Sequence, residues 1–238
     1  MWWMIPTGIA GLLALLTGKK KTPEASPVKM NMTAETWRPV VMALVIPKRI
    51  NLDFCIAWIA KESGGNPCAW GSANAKGPDG HPREQGIGQL YNPDDFTRFK
   101  IPSGSLRVYC VPGSQKCSRK LTSDEILDQA KWLIELIAYC RERAGKISAD
   151  NHLQWSGKDM YKLIKLWHGL PGLVSGVSRF TKQVGRPPSD WQEYKNLVMS
   201  GEVKLDSGTE KYREIFGKIF ANAESVAGVL PDDVKVVS

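Results

Sequence analysis

Residues 52–67, LDFCIAWIAKESGGNP, followed after a Gly/Asn/Pro-rich excursion by residues 83–90, REQGIGQL, decide how this chain is read. Apolar side chains at 52, 55, 56, 58 and 59 have helical spacing, which predicts an amphipathic helix over Leu52–Glu62. At about 100° per residue, Glu62 projects close to Cys55 and between Trp58 and Ile59. The carboxylate of the last turn therefore sits at the edge of the buried stripe, not on the solvated face. Gly64 and Gly65 stop the helix, and Pro67 keeps it from resuming. A carboxylate held against Trp and Ile is partly desolvated, which raises its pKa, and a raised pKa suits a general acid near neutral pH. The plain alternative is an ordinary last-turn glutamate that meets the core edge by accident.

Upstream, a helix is expected at about 35–46 (ETWRPVVMALVI), with Thr33 or Thr36 as N-cap, Pro39 in its first turn and Pro47-Lys48-Arg49 as its break. Downstream, Gly77-Pro78-Asp79-Gly80-His81-Pro82 is a strong turn signal. Asn92–Phe96 reads as a turn and helix start. Residues 98–120 carry two short β-like runs around Cys110 and Cys117. A helix from Ser123 to about Ala144 has a buried stripe of Ile126, Ala130, Leu133, Ile137 and Cys140. Another begins at Ser156 or Gly157 (KDMYKLIKLWH) and ends at Gly169 and Pro171. Shorter helices follow at about 173–183 and 189–199. A last one, Thr209–Val226, is expected to pack through Tyr212, Ile215, Phe216, Ile219 and Phe220, and the tail is expected to be loosely held.

Residues 1–18 carry no charged side chain, and Lys19-Lys20-Lys21 follow at once. A secretory signal would place its positive charge before the apolar run, so the order favours a retained membrane segment over 1–21. Residues 22–34 then read as a Pro/Ser/Thr-rich linker. The formal net charge of +8 suggests a polyanionic partner or surface: nucleic acid, an anionic cell wall or acidic lipid. Basic residues are scattered and no aromatic-interleaved basic motif occurs, which disfavours nucleic acid. Among five cysteines, Cys110 and Cys117 flank a turn-rich segment that a local disulfide would close, and Cys55 reads as a buried thiol. With no CxxC, and with histidines only at 81, 152 and 168, neither a metal nor a cofactor is expected.

Glu62-Ser63 at a helix end, followed by Gly86-Ile87-Gly88-Gln89, resembles the Glu-Ser and Gly-Leu-Met-Gln motifs of soluble lytic transglycosylases, members of the lysozyme-like superfamily. Trp167-His168-Gly169-Leu170-Pro171-Gly172 resembles that family's Tyr-Asn-Ala-Gly-Pro-Gly segment. The three occur in the family's order, and the resemblance spans about residues 36 to 230. It implies a mainly α fold: a lysozyme-like helical domain over 35–230 with a small loop/β lobe walling the cleft. That domain is preceded by the N-terminal membrane helix, interrupted by an insertion at 98–120 and followed by a tail at 231–238.

For function, the resemblance implies cleavage of the MurNAc–GlcNAc β-1,4 bond of peptidoglycan, with closure of a 1,6-anhydro ring on the muramic acid. One glutamate acts first as acid and then as base, and the carry-over puts both roles on Glu62. Ser63, Gln89, Trp167 and His168 would bind substrate, although Trp167-His168 departs from the family's Tyr-Asn. Asp79 and Glu84 are the local carboxylates for a second acid, which would make the enzyme a hydrolytic muramidase. A non-catalytic, glycan-binding or assembly role is the other class. Implied partners are peptidoglycan glycan strands, a membrane through residues 1–18, and virion or envelope-complex proteins. The setting would be a phage virion membrane, or a bacterial inner membrane facing the periplasm.

Overall fold

The computed structural model describes residues 32–71, 76, 82–102, 104–111 and 114–236. The apolar segment at 1–21, most of the linker expected at 22–34, and Asp79 and His81 lie outside the described residues. Among the described residues, no helix is long and apolar enough to cross a membrane. They form a mainly helical chain of nine α-helices with one two-stranded hairpin.

Helix α1 (Arg38–Lys48) follows a 3-10 turn at Ala34–Trp37, where the Thr33 N–H donates to Thr36 Oγ1 at 3.1 Å. Pro39 sits in the first turn, where its missing N–H costs nothing. Pro47 is taken into the last turn, and left-handed Arg49 ends the helix two residues later than expected. Helix α2 (Leu52–Ser63) is capped by the Asn51 side chain, which accepts from the Phe54 N–H at 3.0 Å. It stops at left-handed Gly64 after burying Phe54, Cys55, Ile56, Trp58 and Ile59.

Strands β1 (Glu84–Gln85) and β2 (Leu90–Tyr91) pair antiparallel, so Gly86–Gln89 is the tip of a hairpin. Trp70 bridges onto Gln85 and completes a small lobe beside the helices. Helix α3 (Asp94–Arg98) follows. The β-like runs expected in 98–120 are instead a 3-10 turn at Ser105–Val108 and one isolated bridge between Cys110 and Cys117. Gly104, at φ 80°, turns the chain before a strand can extend.

Helix α4 (Ser123–Asp150) opens with Thr122 and Glu125 capping each other and runs six residues beyond the expected Ala144. Its core stripe simply continues, through Cys140, Ala144 and Ile147. Helix α5 (Gly157–Gly169), capped by Ser156, packs most extensively on α9 (Phe216–Ala227) and then on α4. Between them come α6 (Pro171–Val184), α7 (Trp191–Ser200) and the short α8 (Ser207–Glu210).

The single last helix expected from Thr209 is split. Arg213 donates to both Glu210 oxygens and to the Val198 carbonyl, which folds the chain after α8 into a turn. Phe216 and Phe220 are buried as expected, whereas Tyr212 and Ile215 are exposed. The tail is also held more firmly than expected, up to Val236. Val234 and Val236 pack on the core, Lys158 pairs with Asp232 at 2.9 Å, and the missing side chain of Gly157 lets the Val234 carbonyl approach α5.

Candidate active site

Four helices and the hairpin deliver the side chains around Glu62. The end of α2, which carries it, is pinned from two sides. Trp37 Nε1 donates to the Gly65 carbonyl at 2.8 Å, and the Ser63 hydroxyl shares its proton between the carbonyls of Ile59 and Ile87 at 3.1 Å each. That hydroxyl also accepts from the Gly65 N–H. Ser63 therefore joins the helix end to the hairpin tip, its one proton is engaged within the chain, and it is not among the residues that line the cleft described below.

Helix α5 brings Lys165 and His168 to the carboxylate. Lys165 Nζ lies 2.5 Å from Glu62 Oε1 and 3.1 Å from His168 Nδ1, and sits 4.3 Å from the centre of the Trp58 ring. The Lys165 side chain is 2% exposed and that of Glu62 13%. His168 Nε2 reaches the Gln89 carbonyl at 3.3 Å, and its ring stacks at a tilt on Trp58. A carbonyl only accepts, so Nε2 carries the proton and Nδ1 offers its lone pair to the Lys165 ammonium. Burial and the Lys165 charge hold the His168 pKa down at about 4, so the ring is neutral.

The expected rise in the Glu62 pKa is overturned. Burial pushes the carboxyl up, as the helix stripe suggests, but the Lys165 ammonium, joined by His168 and a hydrogen bond from Asn222, holds it below the usual value. The carboxyl in this cleft that does lie above its ordinary value is Asp95, through burial. Its two oxygens are already engaged, one by Arg98 at 2.5 Å and one by the Tyr91 N–H at 2.8 Å.

Glu62 opens onto a cleft of about 450 Å³ that is also lined by Glu84, Gln89, Trp167, His168 and Asn222. Gln89, in a left-handed conformation at φ 51°, spends its side-chain N–H groups on the Gly86 and Ala69 carbonyls. It shapes the hairpin tip and holds His168 through its main chain. Trp167 stands edge-on to Tyr139, and Arg98 lies 4.2 Å over the other ring of that pair. The structure thus gathers Glu62, Gln89, Trp167, His168 and Glu84 at one cleft, turns Ser63 away from it, and leaves Asp79 outside the described residues. No protein-family model, curated protein or solved structure matches the chain.

Sequence reasoning missed three groups. Lys165 shares the stripe of Tyr161, Ile164 and His168 on α5, and a lysine on an apolar stripe is a signal that was there to be read. Gln129, on α4, accepts from the Ile87 N–H at 3.1 Å and donates to Pro67 O and Tyr109 Oη at 2.9 Å each. It ties the hairpin tip, the loop after α2 and the segment carrying Tyr109 to the central helix. The third group is Cys68, whose sulfur lies in bonding contact with those of both Cys110 and Cys117. The sequence leaves a local Cys110–Cys117 disulfide open; in the structure these two face each other across a backbone bridge, and Cys68 is the bonding partner they compete for. All three are buried, and they form the one group of metal-ligating type found among the described residues.

Proposed function

We propose that the chain is a lysozyme-like peptidoglycan lytic transglycosylase, with Glu62 as its acid and base. The observation that carries this reading is convergence. The helix end holding Glu62, the Gly86–Gln89 hairpin tip and the Trp167–His168 segment come from three distant parts of the chain, and all border one cleft. Aromatic and polar side chains line it together, the mixture that sugar rings with their hydroxyl and N-acetyl groups call for.

In this reading Glu62 protonates the leaving glycosidic oxygen, and the C1–O bond breaks through an oxocarbenium-like state. The resulting carboxylate takes the proton of the muramic acid 6-hydroxyl as that oxygen closes on C1. The net charge of +8 favours approach to an anionic wall, and the apolar 1–18 segment with its lysine flank would anchor the enzyme at a phage virion or bacterial membrane. Envelope or virion proteins are the partners that this setting implies.

Hydrolysis is the second reading, because Glu84 lines the same cleft and would act by positioning a water. Mass spectrometry of peptidoglycan digested by the full chain separates the two. Anhydro ends, one water lighter than reducing ends, support the transglycosylase. Reducing ends alone identify a muramidase, and glycan binding without release of fragments replaces both with the non-catalytic role.

A further inference from the structure

We propose that Lys165 is the proton store of this site: it passes a proton to Glu62 as glycan fills the cleft and recovers it when the reaction closes. The proposal rests on the glycan-cleaving reading above. It starts from a cost. A lysine that is 2% exposed has lost its water, and it is retained only if its surroundings replace that water. They do so on three sides: the Glu62 carboxylate at 2.5 Å, the lone pair of His168 Nδ1 at 3.1 Å, and the face of Trp58 at 4.3 Å.

As an ion pair this arrangement supplies no acid, because Glu62 holds no proton. The same atoms with the proton moved along the 2.5 Å contact, a neutral amine beside a neutral carboxylic acid, carry the same total charge. Water in the open cleft favours the ion pair. A sugar that displaces that water removes the solvation of both charges and shifts the balance toward the neutral form.

Each proton is then accounted for. The Lys165 ammonium gives one to the Glu62 carboxylate, and the Glu62 acid gives one to the glycosidic oxygen as the C1–O bond breaks. The 6-hydroxyl returns one to Glu62 as the new C1–O bond forms, and the Lys165 amine takes it back.

Among the described residues, no other group facing the pair fills this role. His168 is neutral and its one N–H is spent on Gln89. Burial keeps the Cys140 thiol of α4 protonated. Asp95 and Arg98 of α3 are paired with each other, Asn222 of α9 does not titrate, and Glu84 of β1 is a further carboxylate. Glutamine or methionine at 165 would pack at similar size, so packing alone does not call for a charge there.

The test uses the full chain with Lys165→Arg and Lys165→Met, both checked by thermal melting. Arginine keeps the ion pair but does not give up a proton. Lys165→Arg is therefore expected to leave Glu62 ionised, seen by NMR titration of labelled glutamate carboxyls assigned with Glu62→Gln. Its rate of peptidoglycan cleavage should fall by about a hundredfold or more. In Lys165→Met, burial acts on Glu62 without the opposing ammonium, and the Asn222 side chain remains as the weaker counterweight. Its titration midpoint should rise by about one pH unit or more, and cleavage should decline about tenfold per pH unit above that midpoint, where the wild type stays level. Rescue of activity by arginine, or a Lys165→Met pH profile that is merely scaled down, would overturn the proposal and leave Lys165 a positioning residue. If the wild type itself releases no glycan fragments, the cleavage reading fails first and takes the proposal with it.

Discussion

His168 Nε2 donates to the main-chain carbonyl of Gln89 at 3.3 Å, although 79 residues separate the two. This bond joins two of the segments that resemble transglycosylase motifs, and it fixes the tautomer of the ring. The neutral His168 then accepts from Lys165 and steadies the ammonium against Glu62.

Acid should loosen this link. The folded pKa of His168, about 4, lies below the ordinary 6.5, so its contribution to stability is complete above about pH 6.5 and is lost as pH falls toward 4. The amount is on the order of 3 kcal/mol. Urea melts at pH 7 and pH 4.5 should show the wild type losing more stability than His168→Gln. Equal losses would mean that His168 is not held neutral.

Gly64 and Gly65 end the same helix, yet their substitution should differ. Both have positive φ, but a Cβ on Gly64 would meet open space, whereas one on Gly65 would lie 2.2 Å from the Thr33 carbonyl carbon. Gly64→Ala is expected to cost about 1 kcal/mol, the strain of the left-handed conformation alone. Gly65→Ala should cost about 3 kcal/mol or more, because backbone must move. Chemical denaturation of the two variants side by side tests this, and equal costs would contradict it.

Cys68 can bond only one of Cys110 and Cys117 at a time, since a disulfide sulfur is shared once. In an oxidising medium, Cys68 should appear by peptide mapping in a disulfide with one of them, leaving the other as a thiol with Cys55 and Cys140. Cys68→Ser should then lower stability by about 2–4 kcal/mol under oxidising conditions and far less under reducing ones. A Cys110–Cys117 disulfide in the wild type would contradict this arrangement, and a stoichiometric thiophilic metal would replace it.

Local patterns carried much of this architecture. The stripe and stop signals of α2, and the Ser156 cap with the apolar periodicity of α5, place Glu62 and His168 on their helices from sequence alone. The hairpin tip was marked by its glycines. What stayed hidden depended on long-range pairing. Glu62 looked like a carboxyl in an apolar setting because its counter-ion lies 103 residues away. Ser63 looked free to donate because Ile87, its second acceptor, is 24 residues off. Cys68 looked isolated at separations of 42 and 49 residues from its partners. The break before α9 came from Arg213 reaching back to Val198, a contact that helical periodicity does not register.

The central claim is that Glu62 performs the chemistry. Its most direct test is digestion of purified peptidoglycan by the full chain and by Glu62→Gln, with both proteins checked for folding and the released fragments weighed. The account predicts anhydro-muropeptides from the wild type and a loss of at least about a hundredfold in the variant. A folded Glu62→Gln protein that released the same fragments at the same rate would contradict it.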